Sequence, residues 1–502
     1  MPSDPVQAPS GFASSSTTAS AKPPPPKLNP VRVPIREDPI AERTQDFREV
    51  LHAYTKEEAV LEAKRCIQCR RPWCVEACPI NQDAREYIRR IAAGDFDGSA
   101  RVTLRDDPLA TCLCKVCYHY CEDACVVKKK GVPIAIRHLK RVALELGKSD
   151  LTYVPAPPRD ERVAVVGAGP TGLMAAWELG IRGYSVTVFE QEDLLGGLIR
   201  TIPNYRIRGE DFEEDLRRFR ALDVTFRKEE RIGLTLHPKD LLEAGYQAVI
   251  LALGTPRHRT LGVPGEDLPG VIPALRMLKE VHRGRPVKAG RKIVVVGGGD
   301  VAMDAVRSAI RLSSGGDVTL VYRRTREHMP ADPEELKGAE EEGIHFLFER
   351  APVRVVGTDH VEGLVVQRME PGPPSGAGLP ALVPVPGSEE TIPCDTLIVA
   401  VGQQADLTGI EPELDLQSSR GGWVEGKAEG HATALPGVFA AGGKSVVYAM
   451  AAGTRVAEAV DRWLRAKRGE APAPRPDPFG GSTPFHLTAG YTKPLWNPEP
   501  RA

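Results

Sequence analysis

The pattern of apolar and polar positions changes near residue 155. From Glu37 to about Asp150 apolar residues recur at helical spacing, and Thr55 ahead of KEEAVLEAKRC predicts an N-cap followed by acidic first-turn residues. That helix delivers Cys66 into a crowded cysteine segment. A proline-rich linker, VPAPPRDE at 154–161, follows. Beyond it, short apolar runs end in glycine turns that open into helices: RVAVVGAGPTGLMAAWELGIRGYSVTVFE at 162–190 and KIVVVGGGDVAMDAVRSAIRLSSGGDVTLVYRR at 292–324. Strand, turn, helix and second strand in that order predict βαβ units. Periodicity fades at both ends. Residues 1–36, rich in Ser, Thr, Ala and Pro, predict a disordered leader, and residues 466–502 an extended tail. The stretch 371–387 (PGPPSGAGLPALVPVPG) predicts a surface loop.

Composition narrows the function. The chain has 502 residues, and Lys+Arg 66 against Asp+Glu 67 leaves a formal net charge of -1, so no overall basic field holds nucleic acid. Apolar residues make up 41%, and no apolar run reaches the ~18 residues of a membrane span. The start, MPSDPVQAPSGF, has neither the basic nor the apolar region of a secretory signal, so a cytoplasmic location is expected. Nine of the ten cysteines lie between Cys66 and Cys125, with Cys394 alone elsewhere. A secreted disulfide framework would not leave most of the chain bare, so this segment reads as a metal-binding module.

The first cysteine run is Cys66, Cys69, Cys74 and Cys78-Pro79; the second holds Cys112, Cys114, Cys117, Cys121 and Cys125. Close spacing lets several thiolates converge on one inorganic centre, and a run ending in Cys-Pro resembles bacterial ferredoxins, whose fourth cysteine ligates the other cluster. Two 4Fe–4S clusters are one reading. Structural zinc, with His119 and His138 as further ligands, is the other.

Gly167, Gly169 and Gly172 follow a strand and open a helix, and Glu190 ends the next strand 23 residues after Gly167. Such a turn lets a pyrophosphate approach the helix N-terminus while the carboxylate accepts from ribose hydroxyls. Gly196 and Gly197 would admit the close approach of a flavin. The second turn is Gly297, Gly299 and Ala302, and its second strand runs into Arg323, Arg324 and Arg326 with no acid in their place. Guanidinium groups there favour a 2′-phosphate, hence NADPH over NADH.

Together these motifs resemble the small, NADPH-oxidising subunit of bacterial glutamate synthase and the similar N-terminal part of dihydropyrimidine dehydrogenase. The resemblance covers roughly residues 40–465. It rests on the four-cysteine run, Val116-Cys117 with Cys121-Glu122 and Cys125, VPIAIRHLKR, VAVVGAGPTGL, GGL with IPNYRI, LALGT before VPGED, GGGDVAMD, YRRTREHMPA, LIVAVGQ and LPGVFAAGG. It implies that Cys66, Cys69, Cys74 and Cys125 hold one 4Fe–4S cluster and Cys78, Cys117 and Cys121 part of a second. Arg206, Gly254, Gly402 and Gly442 join the nucleotide-binding residues through their motifs. Two positions depart from the family. Lys140 stands where relatives carry Gln or Glu as the remaining ligand, which leaves Cys114 as the first substitute, ahead of Cys112, His119 and His138. Gly443 stands where relatives carry an Asp toward FAD.

The fold expected is α/β, with two Rossmann-like nucleotide-binding domains preceded by an α-helical iron–sulfur domain at 37–155. A FAD domain (156–285 and 405–465) is interrupted by an NADPH domain (286–404). The implied activity is electron transfer from NADPH through FAD and 4Fe–4S clusters to a partner protein such as a glutamate synthase large subunit. The alternatives are a ferredoxin-linked or bifurcating NAD(P)H oxidoreductase subunit and a non-catalytic zinc and nucleotide-binding module. Hydride transfer needs stacked rings more than an acid–base pair, so no catalytic side chain is named. Cys394 reads as a core residue and His328 as an ordinary surface residue, and without a C-x-x-C in the nucleotide domains a thioredoxin-reductase-like activity is disfavoured.

Overall fold

The computed structural model describes residues 29–480 apart from 149–150, 235, 374–378, 411, 420 and 428. The expected leader up to residue 28 and the tail from 481 lie outside the described residues.

Two parallel sheets carry the chain beyond residue 160. In the first, strands run in the order Val438–Ala440, Ala248–Leu251, Arg162–Val166, Ser185–Glu190 and Val224–Lys228. Counting the strands of the unit in sequence, this is the 3-2-1-4 arrangement of a doubly wound nucleotide-binding sheet. The strands are near-continuous apolar runs because helices cover both faces: Val163, Ala164 and Val165 are fully buried. The helices Pro170–Ile181 and Val446–Lys467 pack together on one side, so the chain closes this domain only after completing the next.

The second sheet orders Val271–Pro273, Thr396–Val399, Lys292–Val296, Asp317–Tyr322 and His345–Phe348. Its first strand and the following helix Ala274–His282, whose Met277 and Leu278 join that core, precede the border expected at 286. The strand is three residues long and ends in proline, too short to show alternation. An antiparallel group, Arg350–Val356, Gly363–Pro371, Leu382–Pro384 and Glu390–Pro393, flanks this sheet, so part of the loop expected at 371–387 is strand.

The N-terminal domain is helical. Thr55 Oγ1 accepts from the Glu58 amide at 3.2 Å while the Glu58 carboxylate accepts from the Thr55 amide at 2.7 Å, closing a capping box on Lys56–Ala63. Asp83 and Asp95 cap Ala84–Ala92 and Phe96–Asp106. These helices and Ile136–Leu146 bury Tyr87, Ile88, Ile91 and Leu139. Residues 29–36, expected in the leader, pack on this domain: the Val33 amide donates to Glu62 at 2.9 Å, and Arg65 Nε donates to the Asn29 carbonyl at 3.0 Å. Residues 471–480 run extended as a strap. Phe479 stacks on Tyr153 at 5.1 Å, and Arg475 pairs with the buried Glu178. Among the described residues no helix is long and apolar enough to cross a membrane.

Candidate functional site

A cavity of about 550 Å³ runs between the two sheets, within the size range of cofactor sites. On one wall Gly167 and Gly169 end the strand Arg162–Val166 and lead into the helix Pro170–Ile181, which has proline at its first position. Gly167 has φ +103°, and a Cβ there would strike the Ala252 carbonyl oxygen; a Cβ on Gly172 would strike the carbonyl of Gly167. The turn therefore presents bare backbone amides and the positive end of a helix to the cavity. Glu190 enters from the next strand. Its carboxylate accepts from the Ala168 amide at 2.8 Å and the Glu192 amide at 2.9 Å, and burial raises its pKa.

Gly197, Arg206, Gly254 and Gly442 also line this cavity. Arg206 is committed to ion pairs, with Asp304 at 2.7 Å and Glu335 at 2.9 Å. Gly196 and Gly402 lie behind the lining, Gly196 donating to the Ala168 carbonyl at 2.9 Å and Gly402 accepting from the Arg259 amide at 2.9 Å. At Gly443 the backbone presses against the first turn of the helix Val446–Lys467. A Cβ would meet the Ala449 amide and the Tyr448 carbonyl carbon, so this geometry has no room for a carboxylate side chain.

The second glycine turn reaches the cavity through the residues after it. Asp300 and Val301, opening the helix Asp300–Leu312, line the cavity, while Gly297, Gly299 and the fully buried Ala302 form the turn and its packing behind them. Arg323 is exposed at the end of the strand Asp317–Tyr322. Arg324 donates to the Pro380 carbonyl at 3.1 Å, and Arg326 pairs with Glu340 at 2.7 Å. His328 is exposed and Cys394 buried.

The cysteines fall into two groups. Cys66, Cys69, Cys74 and Cys125 line one small cavity of about 30 Å³, whose lining has Arg85 as its cation and no carboxylate. Burial raises Cys66 to about 11, to which the charges of Cys125 and Cys69 add, and burial raises Cys74 further. Four thiols so placed can ionise together only around a cationic centre, which is the donor set of a cysteine-ligated cluster. Cys78, Cys117 and Cys121 lie within electrostatic reach of one another; burial, reinforced by Cys78, raises Cys117 to about 11 and carries Cys121 well above the usual thiol range.

The side chains of the substitutes for a fourth ligand have partners of their own, while the His119 backbone amide donates to the Cys117 thiol. The Cys114 thiol donates to the Thr111 carbonyl at 3.2 Å, Cys112 is buried against Asp215, and the Lys140 ammonium pairs with Asp107 at 2.5 Å. His119 Nε2 faces Glu334 at 3.4 Å; burial works against its charged form, yet Glu334 holds its pKa raised. Burial, aided by Arg137, lowers the pKa of His138.

Sequence reasoning missed Tyr118 and Asp300. Tyr118 lies between Cys117 and Cys121, lines the large cavity, and its hydroxyl donates to the Asp300 carboxylate. Tyr118 also stacks with Tyr120 at 6.0 Å, and Tyr120 meets Tyr448 edge-on at 5.4 Å. The spacing of a cysteine motif carries no sign of this contact, whose partners are 182 residues apart.

Comparison with known proteins agrees with this layout. Residues 43–150 match the family described as dihydropyrimidine dehydrogenase domain II, 4Fe–4S cluster, and residues 161–460 match the pyridine nucleotide-disulphide oxidoreductases. The beta subunit of NADP(+)-dependent formate dehydrogenase from Moorella thermoacetica is 34% identical over 426 residues, covering 78% of this chain; the chain spans 60% of that protein's length. The glutamate synthase [NADPH] small chain of Azospirillum brasilense is 31% identical over 459 residues, covering 86% of this chain and 95% of that one. Mycobacterium tuberculosis FprA in complex with NADPH has a TM-score of 0.51 at 21% identity, over 62% of this chain and 86% of FprA, a likeness of fold. The chain belongs to the glutamate synthase small-chain-like family, NADPH-dependent FAD oxidoreductases with an iron–sulfur domain ahead of the nucleotide-binding ones.

Proposed function

We propose that this chain takes electrons from NADPH and passes them through FAD and two 4Fe–4S clusters to a partner protein, as the electron-input subunit of a larger enzyme. The supporting observation is that one cavity is lined by the first glycine turn, by the helix opening at Asp300, and by Tyr118 from between two cysteines. A nucleotide cofactor there touches both nucleotide-binding domains and the metal-binding one.

Bound FAD and 4Fe–4S clusters supply hydride acceptance and single-electron carriage. The side chains position them. Gly167, Gly169 and Gly172 keep the helix N-terminus open to a pyrophosphate, Glu190 accepts from ribose hydroxyls, and Gly196, Gly197, Gly254 and Gly442 let backbone approach the flavin. Gly297 and Gly299 do the same for NADPH while Ala302 packs the helix against its strand, with Arg323 and Arg324 against the 2′-phosphate. Gly402 shapes the return loop, and Arg206 ties the two nucleotide domains by its ion pairs with Asp304 and Glu335. Cys66, Cys69, Cys74 and Cys125 hold one cluster. Cys78, Cys117 and Cys121 supply three ligands to the other, next to the large cavity.

Flavin and iron content with NADPH-dependent bleaching tests this reading. A partner of the glutamate synthase large-subunit type would co-purify with the chain and accept its electrons.

A further inference from the structure

The four-cysteine cavity opens beside a basic surface. Among the described residues of 64–76 and 123–130, the exposed cations are Lys64, Arg70, Arg71, Lys128, Lys129 and Lys130. Against these six stand two carboxylates, Glu76, paired with Arg71 at 2.9 Å, and Asp123, paired with Lys128 at 2.7 Å. The whole chain, by contrast, carries a formal net charge of -1. These cations flank the ligating thiols: Arg70 directly follows Cys69, and Lys128 is three residues beyond Cys125. Two large apolar side chains that line the cavity, Ile67 and Trp73, remain 43% exposed at its mouth, and the Arg71 guanidinium lies 3.9 Å over the Trp73 ring. An apolar centre rimmed by one sign of charge has the composition of a protein-docking face.

We propose that this face docks an acidic protein carrying a one-electron centre, which takes electrons from the cluster held by Cys66, Cys69, Cys74 and Cys125. The inference rests on the electron-transfer reading above and adds the partner's charge and landing site. Steering by opposite charge raises the encounter rate with an acidic acceptor and slows a basic one. The balance is simple: NADPH gives NADP⁺, one proton and two electrons, and two acceptor molecules each take one electron, Fe³⁺ becoming Fe²⁺.

The test uses the holoprotein with NADPH and three acceptors: menadione, a small neutral quinone that reports flavin turnover; acidic rubredoxin; and basic cytochrome c. The proposal expects rubredoxin to be reduced faster than cytochrome c at low salt, with a rate that falls as salt screens the charges. Lys129→Glu/Lys130→Glu should lower the rubredoxin rate constant by about tenfold, flatten its salt dependence and leave menadione reduction unchanged. Lys288→Glu, at an exposed site elsewhere, should change none of these. Rubredoxin reduction that ignores both salt and the charge reversal, while menadione is still reduced, overturns the docking face alone. No menadione reduction by the wild-type protein overturns the electron-transfer reading and this inference with it.

Discussion

The hydroxyl of Tyr118, between two cysteines, donates to the carboxylate of Asp300 at the opening turn of the second nucleotide-binding helix. The Asp332 amide donates to the same carboxylate at 2.8 Å. Tyr118 and Asp300 both line the large cavity, so this contact joins the cysteine-bearing helical domain to the domain of the second glycine turn at the cavity wall.

Asp300 makes the junction sensitive to pH. Burial raises its pKa to about 7, with the charges of Asp304 and Asp332 adding to the effect. A raised acid stabilises the fold while protonated. Its contribution is complete below the unfolded value near 3.9 and is lost as pH climbs through about 7. Asp300→Asn has no such loss. Its melting temperature relative to wild type should widen by a few degrees between pH 5 and pH 7 and hold steady above pH 7.5. A difference constant from pH 5 to 8 would contradict the assignment.

Gly167 in the first turn is fixed by both its backbone conformation and the space around it. At φ +103°, with the Ala252 carbonyl in the way of a Cβ, Gly167→Ala combines backbone strain with a steric clash. A cost of about 1–3 kcal/mol is expected. Because the same backbone faces the cavity, flavin per chain should fall while iron per chain is kept. Absorbance at 450 nm after cluster extraction, set beside an iron assay, reads both.

Each cysteine group should lose its metal separately. Cys69→Ser removes one of the four thiols that line the small cavity and should lower iron from about eight to about four per chain. The flavin, across the domain boundary, should stay. Loss of nearly all iron would mean that the two groups assemble as one unit.

The proposed function gives Arg323 and Arg324 the choice between nicotinamide cofactors. Charge-assisted hydrogen bonds of about 1.5–3 kcal/mol each are at stake. Arg323→Ala/Arg324→Ala should raise KM for NADPH at least tenfold and leave KM for NADH nearly unchanged. Equal losses for both cofactors would place the 2′-phosphate elsewhere.

What could be read from the sequence was what is local. VAVVGAG and IVVVGGG announce strand, turn and helix within a dozen residues, and both sheets are built on them. Thr55 was readable as a cap because its partner Glu58 is three residues away. The border of the second domain was not, since Val271–Pro273 becomes a strand only by pairing with Thr396–Val399, more than a hundred residues later. Composition likewise suggested a loose leader and tail. Yet Val33 finds the buried Glu62, and Phe479 finds Tyr153. Lys140 could be seen to depart from the family, but not that Asp107 would hold its ammonium.

The central claim is that NADPH reduces a flavin that in turn reduces cysteine-bound iron on the same chain. Anaerobic titration of the purified holoprotein with NADPH, followed by visible absorbance and electron paramagnetic resonance on samples assayed for iron, sulfide and flavin, tests it most directly. The account predicts FAD, about eight iron with matching sulfide, staged bleaching and a reduced-cluster signal that grows with NADPH. Zinc without sulfide, or a flavin that NADPH leaves oxidised, would contradict it.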